Sequence, residues 1–81
     1  MKKNQEIVLI NNIKKLRLEK EITQQQLADK VGVTNRTIIA LEKGHYNPTV
    51  LLAYRIAKFF DLTIENIFMF EKEESDENNE Q

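Results

Sequence analysis

The chain lacks cysteine and has a single histidine, and these two scarcities remove much catalytic and metal-binding chemistry. Without cysteine there can be no disulfide framework, no thiolate metal site and no thiol nucleophile. His45 alone cannot supply a cluster of histidine ligands. No nucleophile–base set or phosphate-cradling glycine loop is visible in a chain with only two glycines. These absences argue against an enzyme, and we expect no cofactor, metal or small-molecule ligand.

Long apolar runs are missing as well. No segment approaches the roughly 20 apolar residues that a membrane-spanning helix needs, and no signal-peptide pattern is visible. The 81 residues leave room for one small domain, because domains usually hold about 100 to 200 residues. We therefore expect a soluble, cytoplasmic protein with no membrane partner.

The net charge of −1 conceals two regions of opposite charge. Residues 71–81 hold six acids and one base, which gives −5, whereas residues 1–70 hold eleven bases and seven acids, which gives +4. We predict a folded basic domain over residues 1–70, which permits nucleic-acid binding, and a disordered acidic tail over residues 71–81. The tail either serves only for solubility or competes with phosphate groups for the basic surface.

Apolar residues recur with helical spacing through the middle of the chain, and Thr or Asn stands at the break before each segment, where helices are capped. Thr23 and Gln26 have the spacing of a capping box, and Gly32 is placed for a left-handed turn. The pattern predicts five helices, at residues 12–20, 24–31, 35–43, 50–60 and 64–67.

The two ends of the folded region are rich in strand-favouring residues, at positions 6–10 and 67–70. Each segment could extend its neighbouring helix, or the two could pair as an antiparallel ribbon. A lone ribbon needs other elements to pack on, which the helices would provide. We favour the ribbon, so the expected fold is mainly α with a two-stranded sheet formed by the chain ends.

The second and third predicted helices are short and joined by a tight turn, which is the helix-turn-helix arrangement. If Ile38 and Leu41 face the core, helical geometry turns Asn35, Arg36 and Ile39 outward. An amide, a guanidinium and an aliphatic group are the side chains that read base edges in a major groove. The third predicted helix therefore has the residue types of a recognition helix.

The run ITQQQLADKVGVTNRTIIALEKGHYNP resembles the Cro/CI-type helix-turn-helix family, also called lambda-repressor-like or XRE, with its motif at about residues 24–43. The resemblance extends from about Ile13 to Ile67. It implies a five-helix domain that binds double-stranded DNA. The very small repressors of this family also have a two-stranded sheet made by the chain ends.

The resemblance assigns roles to residues at the start of the second helix, along the third helix and in the loop after it. Asn35, Arg36 and Ile39 match base-reading positions, and Gln24 matches a position that bonds a phosphate and braces the recognition helix. The residues expected to contact DNA are Gln24, Thr34, Asn35, Arg36, Thr37, Ile39, Lys43, His45, Tyr46 and Asn47.

Three other positions matter to the scaffold. Arg17 and Glu42 match a partly buried ion pair that similar proteins form between the first and third helices. Glu21 departs from the family, which usually has glycine in this turn. If Glu21 has a left-handed backbone, replacing it with glycine should stabilise the domain.

The fourth and fifth predicted helices carry more apolar side chains than one small core needs. The four aromatic residues Phe59, Phe60, Phe68 and Phe70 are expected to be more often in the core than elsewhere. Exposed apolar patches usually mark interfaces, and helix-turn-helix repressors dimerise to place two recognition helices one DNA turn, about 34 Å, apart. We predict a homodimer interface made by Leu51, Tyr54, Phe59, Leu62 and Ile64.

The sequence thus predicts a regulator of transcription, expected to repress by occluding polymerase at an inverted-repeat operator. Two alternatives stay open. The chain could be an autoregulating antitoxin whose tail folds on a toxin, or a controller protein of a restriction–modification system. A neighbouring toxin or restriction gene would distinguish these.

Overall fold

The computed structural model describes residues 7–72. In chain order the elements are β1 (Ile7–Asn11), α1 (Ile13–Glu19), α2 (Gln24–Val31), α3 (Asn35–Glu42), α4 (Val50–Phe60), α5 (Ile64–Ile67) and β2 (Phe68–Lys72). The five predicted helices and the ribbon are confirmed. Most of the predicted tail, residues 73–81, lies outside the described residues. Within residues 7–72 no helix is long and apolar enough to cross a membrane.

A threonine immediately before the first residue caps each of the helices α2, α3, α4 and α5. The hydroxyl oxygens of Thr23, Thr34, Thr49 and Thr63 each accept a hydrogen bond from the backbone N–H three residues later, at 3.0 to 3.3 Å. Thr23 also completes a capping box, because its own N–H donates to Oε1 of Gln26 at 2.8 Å. Each such cap is worth about 1 kcal/mol relative to alanine, so these boundaries are set locally by the sequence.

The first helix begins one residue later than predicted, at Ile13, and Asn12 makes no side-chain cap. Instead Oδ1 of Asn11, the last residue of β1, accepts from the N–H of Ile13 at 3.0 Å. Helical periodicity does not distinguish two adjacent asparagines. The alternation of side chains along β1 decides which of them faces the first turn of α1.

The core lies where α3 and α4 pack against α2, with α1 against α3 and α5 against α4. Its largest side chains with no solvent exposure come from all five helices and are Ile13, Leu27, Ile38, Leu41, Ile56 and Ile67. Two of these, Ile38 and Leu41, belong to α3. Packing therefore determines which side of α3 is buried, and the core does not cover the opposite side.

The strands pair antiparallel, with Ile7 opposite Lys72 and Asn11 opposite Phe68. Strand β2 thus continues through Lys72, two residues past the boundary at which the sequence places the start of the tail. The placement of Phe70 in the core is wrong: Phe68 is 7% exposed, but Phe70 is 77% exposed. Residues two apart share a face of a strand, so the outer half of the ribbon extends past the helices.

Candidate DNA-binding surface

The N-terminal half of α3 presents polar and aliphatic side chains that the core does not cover. Arg36 is exposed, and Asn35 and Ile39 are half-buried on the side away from Ile38 and Leu41. A guanidinium, an amide and a branched aliphatic group therefore lie together on one helical surface. This set can donate to guanine, pair with adenine and contact a thymine methyl group.

The two threonines at the start of α3 bond to each other. Oγ1 of Thr34 accepts from the N–H of Thr37 at 3.3 Å and lies 3.1 Å from Oγ1 of Thr37. Their first contribution is thus to shape the first turn of the helix. The N–H groups of a helix's first turn lack intrahelical acceptors and carry the positive end of the helix dipole. This end of α3 therefore favours an anion such as a DNA phosphate.

The C-terminal end of α3 is held by a polar network around Glu42. Nε and Nη2 of Arg17 donate to the two carboxylate oxygens of Glu42 at 2.7 and 3.2 Å, and the side chains are 9% and 4% exposed. Nη1 of Arg17 donates to the carbonyl of Ile22 at 3.0 Å. The hydrogen bond to Glu42 and its charge hold the pKa of Arg17 above its usual value, although burial opposes this shift.

Gln24 joins this network from the start of α2. Its Nε2 donates to Oε1 of Glu42 at 3.1 Å, so its side chain braces α3. The amide nitrogen carries two hydrogens, and the one not used by Glu42 could donate to a phosphate. The same side chain can thus link a bound phosphate to α3.

The loop after α3 folds back against the end of that helix. Gly44 has a left-handed backbone with φ of 77°, its N–H donates to the carbonyl of Leu41 at 3.0 Å, and the N–H of His45 donates to that of Ala40 at 2.9 Å. This is a Schellman motif, which satisfies the free carbonyls at a helix end. It fixes the start of a loop whose predicted contact residues are all exposed, namely Lys43, His45, Tyr46 and Asn47.

Asn11 makes a contact that the sequence analysis did not single out. Its Nδ2 donates to the backbone carbonyl of Leu41 at 3.0 Å, between residues thirty positions apart. Local spacing carries no signal for such a bond. The contact attaches the end of β1 to the end of α3.

The predicted dimer interface divides into exposed and packed residues. Leu51, Tyr54 and Leu62 are exposed, whereas Phe59 and Ile64 are partly buried against the core. The ring of Phe59 lies edge-on to Phe60 with centroids 5.0 Å apart. Phe59 and Tyr54 do not share one face of α4, because five residues turn a helix through about 140° from the starting direction.

A second apolar surface lies on the ribbon, and the sequence analysis did not predict it. Val8, Ile10 and Met69 lie on the face of the ribbon that is turned away from the helices. Ile7 and Phe70 share the inner face with Phe68 but are exposed, because that end of the ribbon extends past the helices. We call this surface the ribbon patch; its exposed side chains are Ile7, Val8, Ile10, Met69 and Phe70.

Comparison with known proteins gives matches over most of the chain. The helix-turn-helix family model matches residues 13–67. An uncharacterized HTH-type transcriptional regulator of Methanocaldococcus jannaschii is 50% identical over 64 residues, which cover 79% of this chain and 97% of that protein. RstR, a transcriptional repressor of the cryptic phage CTXphi in Vibrio cholerae, is 33% identical over 54 residues, covering 67% of this chain and 49% of RstR.

One solved structure supports the fold independently of close sequence similarity. A crystal structure of a Bacteroides fragilis protein, whose proposed role is DNA binding, superposes with a TM-score of 0.68 at 21% identity. The match covers 76% of this chain and all of that one.

Proposed function

The chain belongs to the helix-turn-helix family, and we propose that it is a sequence-specific repressor that binds an inverted-repeat operator as a homodimer. Its family, fold and relatives are those of a transcriptional regulator with a helix-turn-helix DNA-binding domain, and not of an enzyme. The observation that carries the proposal is the N-terminal half of α3, where the exposed Arg36 lies beside the half-buried Asn35 and Ile39. The other end of this helix is held by hydrogen bonds from three side chains.

In the proposed complex α3 enters the major groove. Arg36 reads a guanine through two hydrogen bonds, Asn35 reads an adenine, and Ile39 contacts a thymine methyl group. Gln24 and Lys43 bond phosphates on either side of the groove, as do the exposed residues of the following loop. A bound dimer would block polymerase, and the similarity to a phage repressor supports this sign of regulation.

The binding test is fluorescence anisotropy on the DNA upstream of the protein's own gene, compared with a scrambled duplex over a salt series. We expect a preference of about a thousandfold or more for the upstream DNA, because specific sites exceed non-specific DNA by at least this factor. Affinity for both duplexes should fall steeply with salt as phosphate contacts release counterions. Weak and equal binding to both duplexes would contradict the proposal.

For the homodimer we propose the surface formed by Leu51, Tyr54 and Leu62. Glutamate at position 51 would place a charge in that interface, whereas glutamate at position 70 would place it on the ribbon patch. Both positions are well exposed, at 57% and 77%, so neither change should unfold the monomer. Leu51→Glu should therefore give a monomer in sedimentation at micromolar concentration, and Phe70→Glu should remain a dimer.

If instead Phe70→Glu gives a monomer and Leu51→Glu stays a dimer, the interface lies on the ribbon patch. A wild-type protein that sediments as a monomer at micromolar concentration would contradict the homodimer itself. Loss of DNA affinity should follow loss of the dimer, because each half-site alone offers one recognition helix.

A further inference from the structure

We infer that Asn11 is a positioning residue for DNA reading, because its side chain fixes the end of α3 against β1 and α1. The inference rests on the proposed function, in which α3 reads base edges. Asn11 itself lies at the base of the ribbon, and its role is to set where the side chains of α3 are held.

Both ends of the Asn11 amide are used, and each bonds a different helix. Oδ1 accepts from the N–H of Ile13 at 3.0 Å, at the start of α1, and Nδ2 donates to the carbonyl of Leu41 at 3.0 Å. The backbone of Asn11 is paired with Phe68 in the ribbon. One side chain thus joins the ribbon, the first turn of α1 and the last turn of α3.

This bond lies at the end of α3 far from Arg36, so a small tilt of the helix at this end displaces Arg36. The carbonyl of Leu41 accepts from Asn11 on one side, and the next residue, Glu42, is bonded by Arg17 and Gln24. These contacts hold the end of the helix at two adjacent residues. Arg36 lies five residues away, about 7.5 Å along the axis, so a tilt of about 10° at the end moves it by roughly 1 Å. Bidentate base contacts tolerate about half that displacement.

The substitution Asn11→Asp separates the two bonds. The carboxylate still accepts from the N–H of Ile13, and its negative charge is favourable at the start of α1. It has no hydrogen to donate, so it meets the Leu41 carbonyl oxygen with repulsion where a hydrogen bond stood. The variant therefore keeps the helix cap and loses the connection to α3.

Asn12→Asp is the control for the change in charge, because it replaces an amide by a carboxylate one residue away. Oδ1 of Asn12 is buried without a hydrogen-bond partner among residues 7–72, so the fold of this variant is checked before its binding is compared. Nδ2 of Asn12 donates to the carbonyl of Asn66 in α5 at 3.3 Å, so this side chain bonds a different helix from α3. The two variants have equal net charge. Any purely electrostatic loss of DNA affinity should therefore be common to both.

The experiment measures anisotropy on two duplexes, one enriched by the wild-type full chain from a random-sequence library and one of unselected sequence. We expect Asn11→Asp to bind the enriched duplex about tenfold more weakly than Asn12→Asp, which corresponds to about 1.4 kcal/mol. The two variants should bind the unselected duplex equally. Thermal unfolding followed by circular dichroism should show both folded at the temperature of the binding measurement.

Lowering the pH tests the lost hydrogen bond through the ratio of enriched to unselected affinity, which a merely structural role would not change. A protonated carboxyl group can donate to the Leu41 carbonyl, so the ratio of enriched to unselected affinity for Asn11→Asp should approach that of wild type measured at the same pH. Equal affinities of the two variants for the enriched duplex, or a ratio unchanged by pH, would overturn the inference. If wild type enriches no duplex, the proposed function itself fails.

Discussion

The two ends of α3 are held in different ways. At the C-terminal end Leu41 has no solvent exposure, its carbonyl bonds Asn11, and the carboxylate of Glu42 accepts three hydrogen bonds. At the N-terminal end Arg36 is exposed and Asn35 is half-buried. One short helix thus has a fixed end and, in the proposed function, a reading end. Loss of the Glu42 carboxylate at the first should lower the stability of the fold, and changes at the second should alter DNA recognition.

The strongest test of the fixed end is Glu42→Ala. Removing the carboxylate leaves the buried guanidinium of Arg17 without its partner, and breaking a buried pair in this way costs about 3–5 kcal/mol. Unfolding by urea should show this loss in the free energy of unfolding. Replacing both members together, Arg17→Met with Glu42→Leu, should cost much less, since no unpaired charge remains. A loss below about 1 kcal/mol for Glu42→Ala would place the pair among weak surface ion pairs.

Arg17 of the same pair should not make the free energy of unfolding depend on pH near neutrality. Its pKa is raised in the folded state, so its stabilisation is complete below the usual pKa of arginine. That contribution is lost only as the pH rises through the folded-state value, in strong alkali. Urea unfolding measures the free energy of unfolding of the wild type and of the double variant Arg17→Met, Glu42→Leu at several pH values around 7. The part of their difference that comes from Arg17 should be the same at each pH.

The reading end should respond to Arg36→Ala with a change in binding. Loss of the proposed guanine contact should cost about 1–3 kcal/mol on the enriched duplex and relax preference at one base pair. Lys43→Ala is the control, because a lost phosphate contact weakens binding to all sequences and lowers the salt slope by about one. Both variants should unfold within about 0.5 kcal/mol of wild type. Equal losses on enriched and unselected duplexes for Arg36→Ala would contradict its assignment to a base.

Features that depend on neighbouring residues could be predicted from the sequence. Thr23 and Thr34 signal helix starts because a capping hydroxyl bonds an N–H only three residues away. The exposed residue types of α3 follow from helical periodicity, although their contacts with DNA stay predictions. Features that depend on packing could not be predicted in this way. The Asn11–Leu41 bond spans thirty positions, and the exposure of Phe70 follows from how far the ribbon extends past the helices.

The smallest expected effect comes from Glu21→Gly, which touches neither end of α3. Glu21 has a left-handed backbone with φ of 58°, in a turn closed by a bond from the N–H of Ile22 to the carbonyl of Arg17 at 3.3 Å. Gly44 occupies the equivalent position after α3, with φ of 77°. Glycine enters this region without a Cβ penalty, so Glu21→Gly should raise the free energy of unfolding by about 0.5–1 kcal/mol.

Gly44→Ala makes the reverse change as a control. A Cβ at that position would meet no atom within 4 Å, so its cost should reflect the backbone alone and be similar in size with opposite sign. Urea unfolding measures the change in the free energy of unfolding for Glu21→Gly and for Gly44→Ala.

Glu21→Gly should not alter DNA specificity. Removing the negative charge of Glu21 should raise affinity for enriched and unselected duplexes by the same factor, so the ratio of the two affinities should not change. A changed ratio would mean that the turn before α2 also helps to position α3, and that the fixed end extends beyond the Glu42 network.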